Sequence, residues 1–289
     1  MDFNLPFSEL VRRRFSCRTY RSEPIKEKHR AELETFIAEK HLTPSGSKIR
    51  LKVVTAKTDA SQALRGLGTY GFIKNPSGFI LGACQDIPPS LLDFGYLLEA
   101  VILKATDLEI GTCWLGGTFR KSRFEREMNL QDGEIVPSVV SIGYPEDNRA
   151  WIDRISRLYA GADRRFPWED LFFMDSFEET LSAKNAGIFN EPLEAVRLAP
   201  SASNRQPWRV LRSGDNWHFY LMRTPNYPSP FFDFLVGLAD LQKIDLGIAM
   251  CHFDLSTRDL GLKGNWLLND PGMVLPNEYL EYTATWRVE

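Results

Sequence analysis

Apolar positions along the chain mark out one strong helical stripe and then repeat it. Between Ser90 and Trp114, the residues Phe94, Leu97, Leu98, Val101, Ile102, Ala105 and Leu108 fall at three- and four-residue spacing, which predicts a buried amphipathic helix. The later segment KIDLGIAMCHFDLSTRDLGLKGNW aligns with it without gaps. Asp93 falls on Asp245, Gly95 on Gly247, Asp107 on Asp259, Leu108 on Leu260 and Ile110 on Leu262, at a constant shift of 152 residues. Upstream, Leu42-Thr43-Pro44-Ser45 matches Leu198-Ala199-Pro200-Ser201 at a shift of 156. Two blocks in the same order and at nearly the same shift argue for an internal duplication. A period this long is too large for a solenoid repeat and suits two homologous domains.

The remaining pattern is mixed. Apolar or β-branched runs at 49–56, 78–84 and 135–144 predict strands, and helices are expected over 24–40, 90–109 and 120–129. In the second half, Gly214-Asp215-Asn216 between two strand-like runs signals a hairpin. A helix including Leu193 to Leu198 should precede it, a long helix should run from Leu235 to Leu260, and YLEYTATWRV should form the last strand. The polar, Arg-rich stretch from Asp147 to Asp175 lacks periodicity and is read as a long connection. The expected division is a first half at 1–165 and a second, shorter half at 166–289, in an α+β fold.

Composition narrows the function. The net charge of −3 excludes a protein that coats nucleic acid or an anionic membrane through its overall field. The most apolar run, Leu97 to Leu108, is broken by Glu99, Lys104 and Asp107, so no membrane span is expected. The start, MDFNLPFSELVRRRF, shows no secretory signal pattern. Four cysteines, Cys17, Cys84, Cys113 and Cys251, are widely spaced and without zinc-ligand spacing, which reads as reduced thiols in the cytoplasm.

Three segments carry candidate chemistry. VRRRFSCRTYR places Arg12, Arg13, Arg14, Arg18 and Arg21 around Ser16; the plain reading is a solvated basic face, and the other is an anion site. Guanidinium groups donate bidentately to phosphate, and alternation along an extended segment puts Arg14, Ser16 and Arg18 on one side. A nucleic-acid site would want more aromatic platforms than Phe15 and Tyr20. The loop APSASNRQPW packs Ser201, Ser203, Asn204 and Gln206 between two prolines, either as a helix exit or as donors and acceptors for a heterocycle edge. GTCWLGG reads on its own as a tight helix-to-strand turn, and its glycines would also let the backbone approach a planar ligand. His252 on the second long helix reads as a packed or capping residue, and Trp114 and Trp208 as core.

Together the three segments resemble the FMN-dependent nitroreductase family, in particular its members with two fused halves. The resemblance rests on Arg14-Phe15-Ser16-Cys17-Arg18, on Pro200-Ser201-Ala202-Ser203-Asn204-Arg205-Gln206-Pro207-Trp208, and on Gly111-Thr112-Cys113-Trp114-Leu115-Gly116-Gly117. Neither a glycine-rich dinucleotide fingerprint nor a Walker-type loop is present. In ordinary members one domain carries all three motifs and two subunits share the sites between them. Here the first half has the Arg stretch and GTCWLGG but Lys48 in place of Asn204, while the second half has APSASNRQPW but no Arg stretch. The resemblance therefore implies an intrachain pseudo-dimer of nitroreductase-like FMN-binding fold, monomeric, with one site retained.

The same resemblance implies the residue roles. Arg14, Ser16 and Arg18 would hold the FMN phosphate and ribityl end, with Phe15 and Cys17 contributing backbone. Pro200, Ser201, Ala202, Ser203 and Asn204 would border the flavin from the other half. The backbone of Trp114, Leu115, Gly116 and Gly117 would run beside it, with an N–H of Leu115 or Gly116 near N5. A further basic residue, Arg164 or Arg165 with Arg157 as the alternative, would close on the phosphate. The implied activity is hydride transfer from NADH or NADPH through FMN to a nitroaromatic, quinone or similar small acceptor. No catalytic side chain and no metal are implied. Dehalogenation or flavin breakdown would be other reactions of this fold, and a non-catalytic flavin binder or sensor is the alternative of a different class.

Overall fold

The structure is a computed structural model that describes residues 2–39, 42–55, 73–117, 119, 121–146, 165–225, 227 and 239–289. The first half contains α1 (Phe7–Arg13), α2 (Glu27–Ala38), β1 (Arg50–Thr55), β2 (Gly78–Gln85), α3 (Pro88–Asp107), β3 (Gly111–Leu115), α4 (Lys121–Met128), β4 (Glu134–Ile135) and β5 (Val139–Gly143). The second contains β6 (Phe172–Met174), β7 (Ser176–Thr180), α5 (Asn190–Leu198), β8 (Trp208–Ser213), β9 (Asn216–Met222), α6 (Leu241–Asp259), β10 (Gly264–Leu267) and β11 (Leu280–Val288).

The duplication is visible in the sheets. The first is ordered β1-β2-β5-β3 and the second runs β8-β9-β11-β10 over the corresponding elements, every one of these neighbours antiparallel. The second sheet is extended at its β8 edge by β6, which pairs parallel, and then by β7. Strand β2 is a near-continuous apolar run because both of its faces are covered, by α3 on one side and by Phe124 of α4 against Phe79 on the other.

The two long helices pack against each other at the centre and cross at paired glycines. A Cβ on Gly95 would stand 2.1 Å from the carbonyl oxygen of Ile244, and one on Gly247 would stand 1.9 Å from that of Leu92. Each glycine thus meets the residue three positions before the other, a two-fold relation within one chain. One apolar core runs through both halves, from Phe7 and Leu10 of α1 through α3, α5 and α6 to Phe219 and Trp286. Neither half has a separate interior of that size.

The seam also captures α1. Asp107, at the end of α3, accepts from the backbone N–H groups of Asn4 and Leu5, and Asp259, at the end of α6, accepts from Phe7 N at the first turn of α1. Carboxylates from both halves therefore aim α1, and with it the Arg stretch that follows. Among the described residues, no helix is long and apolar enough to cross a membrane.

Several sequence-based expectations are corrected. The long second helix begins at Leu241 rather than Leu235, since Asp240 caps it by accepting from Lys243 N; residues 235–238 lie outside the described residues. The strand expected over 135–144 is split into β4 and β5 around Pro137, which has no N–H for the ladder. The first part of GTCWLGG is strand β3, paired with β5, rather than a turn. The end of the supposed connection is strand as well, because β6 adds to the second sheet. The hairpin turn at Gly214 and Asp215 is as expected, with Gly214 at a φ of +56°.

Candidate functional site

The chain leaves α1 at Arg14 in extended conformation and runs beside β3, where Cys17 N donates to Thr112 O at 2.8 Å. Alternation then separates the side chains. Cys17 is buried and Phe15 half-buried against the smaller core, while Ser16 and Arg18 are exposed. Burial pushes the Cys113 thiol of β3 up, against the charges of Arg18 and Arg14 and a hydrogen bond from Ser16.

Beyond β3 the chain bends at Gly116 and Gly117, where it meets the second half. A Cβ on Gly116 would stand 2.8 Å from Cδ1 of Leu241, the first residue of α6. Among the described residues, the backbone N–H groups of Gly116 and Gly117 make no hydrogen bond.

From the other side comes the loop after α5. Asp245 of α6 holds it through Ala202 N at 2.9 Å, and Ser201 Oγ accepts from Gln206 N. Ser203, Asn204 and Gln206 all sit at positive φ, a conformation that costs non-glycine residues on the order of 1 kcal/mol each and fixes the loop tightly. Gln206 is buried, accepting from Phe166 N, and Trp208 is core, so Gln-Pro-Trp is scaffold for the loop. Of the four polar side chains noted in the sequence, Ser203 meets Tyr227 Oη at 3.3 Å and Asn204 accepts from Arg165.

Arg165 braces this loop. Its guanidinium donates to the carbonyls of Leu198 and Ala199 and to Asn204 Oδ1, at 2.7 to 2.9 Å. Burial, then the nearby charges of Arg14 and Arg197, push it down to about 10. Arg14 is pushed down as well, by burial, with Glu99 acting the other way. Arg197 is held by Glu194, whose charge also favours the charged form of Arg165, and Arg165 itself hydrogen-bonds neutral oxygens. Guanidinium groups stay protonated at neutral pH, so the half-buried Arg165 and Arg14 carry like charges at this seam, with Glu194 and Glu99 opposing them. Arg157 and Arg164, the other expected phosphate closers, lie outside the described residues.

The profile of the family described as "Putative TM nitroreductase" matches residues 7–257. The chain belongs to this family. Among solved structures, a "putative nitroreductase" from Thermotoga maritima is 17% identical and aligns over 100% of this chain and 96% of its own, with a TM-score of 0.62. A nitroreductase with bound FMN from Desulfitobacterium hafniense is 21% identical and aligns over 50% of this chain and 91% of its own, with a TM-score of 0.39. No curated protein matches the chain.

In this nitroreductase-family chain the residues at the seam fit a phosphate-bearing flavin on three counts. Arg14 Nε is buried without a hydrogen-bond partner, Arg165 hydrogen-bonds neutral oxygens, and among the described residues the Gly116–Gly117 bend has unused donors. A fourth feature lies beneath the loop, where Asp245 Oδ2 is buried and unpartnered. Burial holds the Asp245 carboxyl well above the usual carboxylate range, and Asp240 adds to the shift.

The contact between two residues that matter here escaped the sequence reading. Glu99 of α3 and His252 of α6 are both fully buried and lie 2.9 Å apart across the seam. His252 is packed, as expected, with Nδ1 3.0 Å from Ala195 O of its own half, and its Nε2 contact with Glu99 joins the halves. Glu99 accepts from Trp114 Nε1 at 2.8 Å and lies 3.9 Å from Arg14 Nε. The available signal was a charged residue in the middle of an apolar stripe, which is rarely found buried without a partner.

Proposed function

We propose that this chain is an FMN-dependent oxidoreductase that takes hydride from NADH or NADPH and passes it to a small acceptor such as a nitroaromatic or a quinone. The observation that carries the reading is Arg14 at the seam, whose Nε is buried without a hydrogen-bond partner, with Glu99 3.9 Å away and the charge of Arg165 also acting near it.

In this reading Arg14, Ser16 and Arg18 bind the phosphate by charge-assisted hydrogen bonds, and Arg165 closes over it. The backbone from Trp114 to Gly117 lines one side of the ring and offers donors without side chains in the way. The loop from Pro200 to Asn204 edges the other side, held rigid by Asp245 and Gln206. When bound, FMN supplies the hydride chemistry, and the protein's part is to orient it and shape its electrostatics. No side-chain acid or base is assigned. Both sides of the site come from one chain, so it works as a monomer, and its four buried free cysteines suit the cytoplasm.

The test is a spectrum of the purified protein before and after NADH or NADPH without oxygen. Yellow protein that bleaches and recovers its colour with a nitroaromatic or quinone is the expected result. Yellow protein that neither cofactor bleaches would make it a flavin binder, and a colourless protein that takes up no FMN would overturn the proposal.

A further inference from the structure

A buried carboxylate beside Arg14 should defeat an anion site by neutralising it. Glu99 Oε1 lies 3.9 Å from Arg14 Nε, with Glu99 fully buried and Arg14 only 8% exposed. An opposite charge at that range, out of water, would claim much of the cation's field.

His252 removes the conflict, and the proton count shows how. Ala195 O can only accept, so His252 Nδ1 carries a hydrogen. The contact between His252 Nε2 and Glu99 Oε1, at 2.9 Å, then holds one further proton, whichever atom carries it. The pair is neutral as a unit in both forms. Glu99 Oε2 is also engaged, by the indole N–H of Trp114. The group formed by Arg14, Glu99 and His252 therefore keeps a net charge of +1, so the Glu99 carboxylate does not cancel the charge of Arg14.

We infer that His252 is a positioning residue of the cofactor site: by taking up the Glu99 carboxylate from the second half, it reserves the charge of Arg14 for the cofactor's phosphate. The pairing exists in one sense only. At the duplicated positions, 152 residues away, Glu99 corresponds to Cys251 and His252 to Ala100. The half that bears the Arg stretch is the one that has the carboxylate, and the partner half supplies the proton that offsets it. The inference rests on the flavin reading above, and its experiment separates the two.

The experiment measures FMN and riboflavin dissociation constants by flavin fluorescence for the full chain and for His252→Gln, Glu99→Gln and the double variant. Riboflavin lacks the phosphate and reports everything except the anchor. His252→Gln should leave Glu99 ionised against Arg14 and weaken FMN about tenfold, equivalent to about 1.4 kcal/mol, with riboflavin unchanged. Glu99→Gln should hold FMN as tightly as the unaltered chain, and adding it to His252→Gln should restore the lost affinity. Rescue by a second substitution is not what a packing defect would show. Unaltered FMN binding in His252→Gln, equal loss of FMN and riboflavin, loss in Glu99→Gln, or failure of the double variant to recover would each overturn the inference alone. An unaltered chain that takes up no FMN would overturn the flavin reading and this inference with it. If His252→Gln does not fold, the Glu99→Gln and double-variant arms still decide the matter.

Discussion

Asp93 and Asp245 occupy the same place in the two halves and face opposite circumstances. Asp93 accepts from Thr43 Oγ1, Ser45 N, Ser45 Oγ and Ser47 N, so the loop of the first half closes on its own carboxylate. Asp245 accepts from Ala202 N and has its second oxygen buried without a partner. One loop has spent its donors on its own scaffold, and the equivalent loop in the site-bearing half has not.

That contrast has a pH signature. Burial first, and Asp240 next, raise the Asp245 carboxyl well above its ordinary value, so the folded chain binds this proton more tightly than the unfolded chain does. The resulting stability is fully present below the ordinary carboxylate range and is lost as pH rises through the raised folded value. Urea unfolding of the flavin-free chain from about pH 4 to about pH 8 should show this decline, and Asp245→Asn should flatten it. An identical slope in the variant would rule the assignment out.

The helix crossing should tolerate no side chain. Gly247→Ala would push a methyl group into the backbone carbonyl of Leu92, which cannot swing aside as a side chain end would. A loss of about 3 kcal/mol is expected in denaturant unfolding, the upper part of the range for overpacked sites. Gly214→Ala, with nothing within 4 Å of its Cβ, has no such clash and is strained only by its positive φ, so it should cost about 1 kcal/mol.

The exposed anchor can be read by affinity. With Arg18 holding the phosphate as proposed, Arg18→Ala would remove a charge-assisted contact worth about 1.5 to 3 kcal/mol, and FMN binding should weaken roughly ten- to a hundredfold. An unchanged FMN dissociation constant would remove Arg18 from the site.

Stoichiometry tests the duplication. One flavin per chain is expected from absorbance, on a particle whose sedimentation or light-scattering mass is that of a single chain. Two flavins per chain would mean that the self-closed loop at Thr43 to Ser47 opens to form a second site.

Much of the fold was legible because the signals were local. The stripe from Phe94 to Leu108 and its copy declared two buried helices, and Gly214 declared a hairpin. The strand β3 was hidden because GTCWL is short and opens on glycine, and its partner β5 lies far along the chain. β6 and β7 were hidden in a polar stretch, where pairing with β8 overrides weak propensity. In the site, alternation placed Arg14, Ser16 and Arg18 together, since period two is a property of any extended segment. Nothing in the spacing of His252 and Glu99 announced their contact.

The sequence by itself determined the duplication, the two long helices, the hairpin and the three motifs, along with the absence of an Arg stretch from the second half. Each of these depends on residue type and short-range spacing. Only the tertiary structure decided which charges meet: Arg165 beside Arg14, Glu99 neutralised by His252 instead of by Arg14, and Asp245 left with a free oxygen where Asp93 has none. Charge pairing depends on distance and burial, and those are set by how α3 and α6 cross, which no short stretch of either helix specifies.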